Sequence, residues 1–372
     1  MTYSVPLQRR VRSGDWWDQR RSTWDKIVEA AERDDPEDAA ALAQYTVDEA
    51  RIIFDVMAQW QADLRTMHLD KGISADELAQ IQTRILGLIV EPDGTPHDKH
   101  RSWARYLELT LQLQGEIWRR DLPAVRQTVV AQRERWRIEH DRDADWTYGL
   151  MSSLIERFGE GVVPEIYERI IMPLFVWRYE KFDISKHDWE TDSLPTLLYV
   201  ALESMRAHLS TVNRDGSPLE LIEEEDRWIL RFDPCGSGGR ATRGDWVEGT
   251  PSRMEPPYGW RVIEGAYDWT DGKAGVCAYC NHCQVLMEHL PMDRFGYPVR
   301  VVEPPQYPIR NGIRVDDRSE DRQKCQWTMY KDPTTVPEEI YARSGRTKPA
   351  AFGSDAVGSR KDARHTGFLG GG

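Results

Sequence analysis

The chain has 372 residues, a net charge of −13 and 30% charged side chains. That length supports a large core and two or three domains. The acidic balance argues against a protein that tracks a nucleic-acid backbone, which shows a basic footprint. With no run of about 18 apolar residues, no membrane-spanning helix is expected, and no signal peptide is read at the start, so the expected location is cytoplasmic.

Residues 1–22 read as an irregular arm, locally basic through Arg9, Arg10, Arg12, Arg20 and Arg21. Residues 23–212 read as a helical domain. Thr46 with Glu49, and Ser74 with Glu77, match the capping box, in which hydroxyl and carboxylate satisfy each other's orphan amides. Ile53, Val56, Met57, Trp60, Leu64 and Met67 then recur at helical spacing, as do Leu78, Ile81, Ile85 and Leu88. Tyr106, Leu109, Leu113 and Ile117 mark another helix, with Leu107, Leu111 and Trp118 widening its apolar face. The strongly apolar residues 164–179 are expected in the interior. Residues 193–212 read as a helix with Pro195 in its first turn, buried through Leu198, Leu202, Met205 and Leu209, and ending in a turn at 213–216.

The character changes over residues 213–343, which read as a smaller mixed α/β domain. The acidic run 223–226 is a solvated turn before a strand over 228–232. Gly, Pro and Trp dominate 234–275. Residues 276–290 fit a helix stopped by Pro291; 297–302 and 325–330 fit strands, the latter alternating Cys325, Trp327 and Met329 on one face. Residues 344–372 read as a glycine-rich tail. The predicted fold class is therefore α+β, with a helical front half and a cysteine-rich C-terminal domain. Fifteen tryptophans point to extensive internal or subunit interfaces, and a homo-oligomer or a subunit of a complex is expected.

Chemistry concentrates in the cysteines. Cys277, Cys280 and Cys283 stand at i, i+3 and i+6, with His282 between the last two. Such soft ligands favour zinc, or alternatively an iron–sulfur cluster, over magnesium or calcium. If the run is helical, it offers Cys280 with Cys283, or Cys277 with Cys280; if it is a knuckle-like loop, His282 joins them. Cys235 follows a strand and precedes Gly236, Gly238 and Gly239, whose amides can approach an anion closely. Cys235 and Cys325 are the candidates to complete a metal site. Asp233, Glu288 and His289, with Asp293, are candidate proton carriers or ligand-orienting groups. His187 and His208 read as surface or packing residues.

Phe232-Asp-Pro-Cys235, a cysteine on the following helix, and Cys325-Gln-Trp327 give residues 190–335 a distant resemblance to the L-2-amino-thiazoline-4-carboxylate hydrolase-like proteins. The added cysteines with His282, the glycine-rich loop and the Trp-rich segment 241–275 depart from that group. The resemblance implies an α+β core in which Cys235, one helix cysteine and Cys325 converge, and hydrolytic ring opening or C–N cleavage of a small molecule. The leading expectation is thus a metal-dependent hydrolase with a Cys-ligated zinc, Cys235 among its catalytic residues, acting on a small-molecule substrate. A structural zinc or iron–sulfur protein serving assembly, and a metal-free cysteine-nucleophile or redox enzyme, are the alternatives.

Overall fold

The computed structural model describes residues 1–176, 178–210 and 217–357. The N-terminal segment is not an irregular arm. It forms a hairpin of β1 (Thr2–Ser4) and β2 (Arg9–Val11), followed by the short α1 (Trp16–Gln19). Its arginines explain the difference, because they are structural. Arg12 is buried and donates through Nη1 to Arg21 O at 2.8 Å and Thr23 Oγ1 at 3.0 Å. Arg9 grips Glu203.

Helices follow in series: α2 (Thr23–Glu32), α3 (Pro36–Asp70), α4 (Ala75–Leu86), α5 (Lys99–Trp118) and α6 (Leu122–Phe158). Ser74 caps α4 through the hydroxyl half of the expected capping box, accepting from Glu77 N at 3.2 Å. Thr46 and Glu49 do not begin a helix. Asp35 and Pro36 already start α3 eleven positions earlier in the chain, so the Thr46 hydroxyl turns back to Ala43 O. Buried polar contacts tie the helices together. Trp24 Nε1 donates to Gln132 Oε1 at 3.0 Å, and Gln132 Nε2 donates to Thr110 Oγ1 at 2.6 Å. Leu111 and Trp118 are exposed and do not widen the buried face of α5.

Next come α7 (Val162–Ile166), a π-helical turn (Tyr167–Ile171) and α8 (Met172–Val176). The first half of this apolar stretch is interior; Leu174 and Phe175 are only half-buried. A second π-helical turn (Trp189–Ser193) leads into α9 (Leu194–Ala207), whose Leu198, Leu202 and Met205 are buried as expected. The turn expected at 213–216 lies outside the described residues.

The remaining chain builds β3 (Glu220–Glu223), β4 (Arg227–Phe232), α10 (Gly238–Arg243), β5 (Val262–Ile263), β6 (Val276–Cys277), α11 (Asn281–Gln284), α12 (Leu290–Phe295), β7 (Val301–Glu303), β8 (Ile309–Arg310), β9 (Ile313–Arg314), β10 (Cys325–Tyr330), α13 (Glu338–Ala342) and α14 (Ser354–Val357). One four-stranded sheet runs β3-β4-β10-β7. In it Trp327 faces Leu230 on one side and Val302 on the other, both antiparallel. Residues 327–330 are all buried, so β10, a central strand covered on both faces, does not alternate as expected.

Pro291 does not stop the helix. A π-helical turn (Val285–His289) joins α11 to α12, and Pro291 sits in the first turn of α12, where its missing N–H does no harm. The helix ends at Gly296, in the left-handed conformation at φ 84°. Residues 344–357 are not a loose tail: Arg346 pairs with Asp293 at 2.8 Å, and Gly353 N bonds Phe295 O at 2.7 Å. The structure is mixed α+β with a helical N-terminal half, as predicted.

The chain divides into two compact units. The first comprises residues 1–147, 199–220 and 233–237; the second comprises 148–198, 221–232 and 238–372. Among the described residues, no helix is long and apolar enough to cross a membrane.

Candidate functional site: a thiol pair beside an arginine-lined cleft

Two short strands place the first thiol. Val276 and Cys277 pair with Ile263 and Val262, so Cys277 ends a strand and is 0% exposed. The chain turns through Ala278 and Tyr279, and Tyr167 Oη fixes the turn by donating to Ala278 O at 2.5 Å. Cys280 then caps α11. Its amide donates to Cys277 Sγ at 3.2 Å, which closes the turn on the sulfur itself. Cys280 is 9% exposed, the more accessible of the two.

The first turn of α10 closes over this pair. A β-carbon at Gly238 would lie 2.4 Å from Cys280 Sγ and 3.2 Å from Tyr279 Cδ1, so only glycine lets the helix approach. Thr242 Oγ1 donates to Gly238 O at 2.7 Å and lies 3.8 Å from Cys280 Sγ. Burial pushes the Cys277 thiol up. The Cys280 thiol, the Tyr148 hydroxyl, the Cys280 amide and the Thr242 hydroxyl outweigh it and hold the thiol below its ordinary value.

The cysteine run thus splits. Cys277 and Cys280 form one pair. His282 and Cys283 form another, Cys283 Sγ lying 3.5 Å from His282 Nε2 while His282 Nδ1 bonds Tyr279 O. That backbone contact makes Nδ1 the donor and Nε2 the acceptor. Burial drives His282 down to about 4. Cys325 begins β10, opposite Phe232. Cys235 sits in the loop after β4 with Ser237 Oγ at 3.4 Å. Asp233 is buried in the same loop. Gly236 N donates to Ser210 Oγ at 3.2 Å, and a β-carbon there would meet His208 O at 1.7 Å. His208 does more than pack: its Nδ1 is 2.9 Å from His140 Nε2. Gly238 and Gly239 do not lie in a loop: they are the first residues of α10. Among the described residues, no group of three histidine, cysteine or carboxylate ligand atoms within 4.8 Å includes a cysteine.

Glu288 and His289 belong to a buried ionic cluster. His289 Nε2 is 2.8 Å from Asp271 Oδ1, and Arg343 Nε is 2.8 Å from Asp271 Oδ2. Arg343 also holds both Glu288 oxygens, one of which accepts from Val302 N at 2.8 Å. Burial pushes the Glu288 carboxyl up to about 8; Arg343 opposes this and Asp271 adds to it. A guanidinium already occupies the point where the carboxylates converge, so the cluster clamps the π-helical turn to β7 and the segment after α13.

The feature that sequence reasoning missed is a cleft of about 420 Å³ whose lining includes Thr242, Arg243, Trp246, Tyr307, Arg314 and Arg318. Arg243 and Arg318 both lie over the Trp246 ring, at 4.5 and 4.7 Å from its centre. Asp316 pairs with Arg314 at 2.8 Å, and Glu255 accepts from Tyr307. Three guanidiniums therefore outnumber two carboxylates around a pocket sized for a small molecule. The local signal available was Arg243 three positions before Trp246. The chain matches no protein-family model, no curated protein and no solved structure.

Proposed function

We propose that the protein is a cysteine-dependent enzyme that acts on a small, anionic organic molecule bound in the arginine-lined cleft. The observation that carries this reading is Thr242, which lines the cleft and also lies against Cys280 Sγ. Arginines beside an aromatic ring suit a planar carboxylate. Donors around Cys277 favour a thiolate next to Cys280. The distant family resemblance favours cleavage of a C–N bond. In that reaction Cys280 sulfur adds to the electrophilic carbon, its proton passing to Cys277 sulfur. The amine leaves with that proton, and water then releases the acid and restores the thiol.

The same pair supports a second reading, the zinc-dependent hydrolase, because a thiol held below its ordinary value is a ready metal ligand. In that case the ion completes its ligand set beyond Cys277 and Cys280. An iron–sulfur cluster would require the same recruitment.

Alkylation tests the first reading. Anionic iodoacetate should modify Cys280 faster than neutral iodoacetamide does, relative to a free thiol, and Arg314→Ala with Arg318→Ala should abolish the preference. Small aromatic carboxylates should protect Cys280. An unreactive Cys280 with no anion preference would overturn the assignment. Zinc at one per chain, lost in Cys277→Ser, would select the second reading.

A further inference from the structure

Glu139 and Asp143 stand one turn apart on α6, and their carboxylates converge on the ring of His97, just ahead of α5. One ligand atom from each residue lies within 4.8 Å of the others. This differs from an ordinary acidic patch in two respects.

The first is enclosure without partners. Glu139 is 0% exposed, yet neither of its oxygens has a hydrogen-bond partner. A buried carboxylate that accepts no hydrogen bond is strongly disfavoured unless a proton or a cation takes up its charge. The second is orientation of the imidazole. His97 Nδ1 is 2.8 Å from Glu91 Oε1, and Arg135 holds Glu91 at 2.9 Å. That makes Nδ1 the donor and leaves Nε2 an acceptor, 3.7 Å from Glu139 Oε2 and without a hydrogen-bond partner. A carboxylate on one ring nitrogen and an open lone pair on the other is the arrangement that metal-binding histidines adopt. Asp143 is already steadied by Gln61 Nε2 at 3.2 Å and by the Lys99 ammonium. Lys99 pairs directly with Asp143. Among the described residues Glu139 makes no ion pair with a lysine or arginine; burial and the nearby Asp143 raise its carboxyl above its ordinary value, against the weaker pull of Ser102, Lys99 and Arg135.

We propose that His97, Glu139 and Asp143 bind a first-row divalent cation, zinc or manganese in type. One imidazole nitrogen with carboxylate oxygens matches such ions better than calcium or magnesium, and no thiolate is involved. The ion ties the middle of α6 to the segment that enters α5. Every residue of this site lies in the first compact unit, and the proposal does not rest on the thiol reading.

Cobalt(II) on the full-length, chelator-stripped protein tests it. One equivalent should bind per chain, with visible ligand-field bands but without the near-ultraviolet charge-transfer absorption of thiolate ligation, and zinc should displace it. Affinity should fall about tenfold or more in Glu139→Gln and His97→Gln, and by a similar factor in Glu91→Gln, which touches no ion. Cys280→Ser should bind as the wild type does. No stoichiometric uptake, uptake accounted for wholly by thiolate bands, or undiminished uptake in Glu139→Gln would overturn the site; the last outcome would mean a neutral, protonated Glu139. If circular dichroism shows Glu139→Gln unfolded, Glu91→Gln and the melting temperature decide. Zinc should raise the melting temperature of the wild type and of a Cys277→Ser/Cys280→Ser protein alike; no rise in either overturns the proposal.

Discussion

Gly238 meets Cys280 through a missing side chain: the space a β-carbon would fill at Gly238 is taken up by the sulfur, 2.4 Å from that position. The thiol and the helix that covers it therefore share one volume. Gly238→Ala should lower stability by roughly 1–3 kcal/mol, as overpacking does, and should raise Cys280 alkylation as α10 is displaced. Adding Cys280→Ala should recover most of the loss. Thermal melts of the two single variants and the double variant measure this coupling; strict additivity would show that the contact does not exist in solution.

Tyr148 is one of the groups that set the ionisation of Cys277. Its hydroxyl lies 2.6 Å from Arg261 O and is also among the groups that lower the Cys277 thiol, so its single proton serves one of the two at a time. Tyr148→Phe should move the Cys277 midpoint upward, toward or above that of an ordinary thiol. Ultraviolet thiolate absorbance against pH, with Cys277→Ser as the blank, gives the value. An unmoved midpoint would remove Tyr148 from the site.

His282 makes the fold acid-sensitive. Its ordinary value is 6.5 and its folded value about 4, so the unfolded chain takes up the proton first as pH falls. The stability it contributes is complete above pH 6.5 and is lost between 6.5 and 4. A shift of that size corresponds to about 3 kcal/mol. His282→Gln should flatten this part of the curve of denaturation midpoint against pH. A curve as steep as the wild type's would assign the acid sensitivity elsewhere.

Arg343 bridges Asp271 and Glu288, so its removal should be severe. Arg343→Leu leaves both carboxylates buried without it and should cost roughly 3–5 kcal/mol. Arg343→Lys should recover only part, because a point charge cannot reproduce the fork that spans two carboxylates. Urea unfolding of the two variants checks the order; equal stability of Leu, Lys and wild type would contradict the ionic clamp.

Local signals in the sequence were readable where local forces decide. Ser74 caps a helix and Leu198, Leu202 and Met205 form a buried stripe because hydrogen bonds and burial along one segment suffice. The same capping pattern at Thr46 has no such role, since Asp35 and Pro36 upstream had already committed the chain to a helix. The cysteine run stands out as a motif, but its division into two pairs depends on β6 finding β5, a pairing with no local mark. The cleft brings Arg243 and Trp246, at and just beyond the end of α10, together with Arg314 and Arg318, at and just beyond the end of β9, and the His97 cluster draws on residues more than a helix apart. Glu139 and Asp143 do show the i, i+4 spacing of a shared helix face, yet that spacing is ordinary among solvated carboxylates. Only enclosure sets this pair apart.

The interleaving of the two compact units has a consequence for heredity as well as for folding. Each unit is encoded by three separate stretches of the chain. No single cut in the gene releases either one free of the other. A cut between residues 148 and 237 breaks both at once, and a fragment holding one unit alone has to be built by joining distant segments.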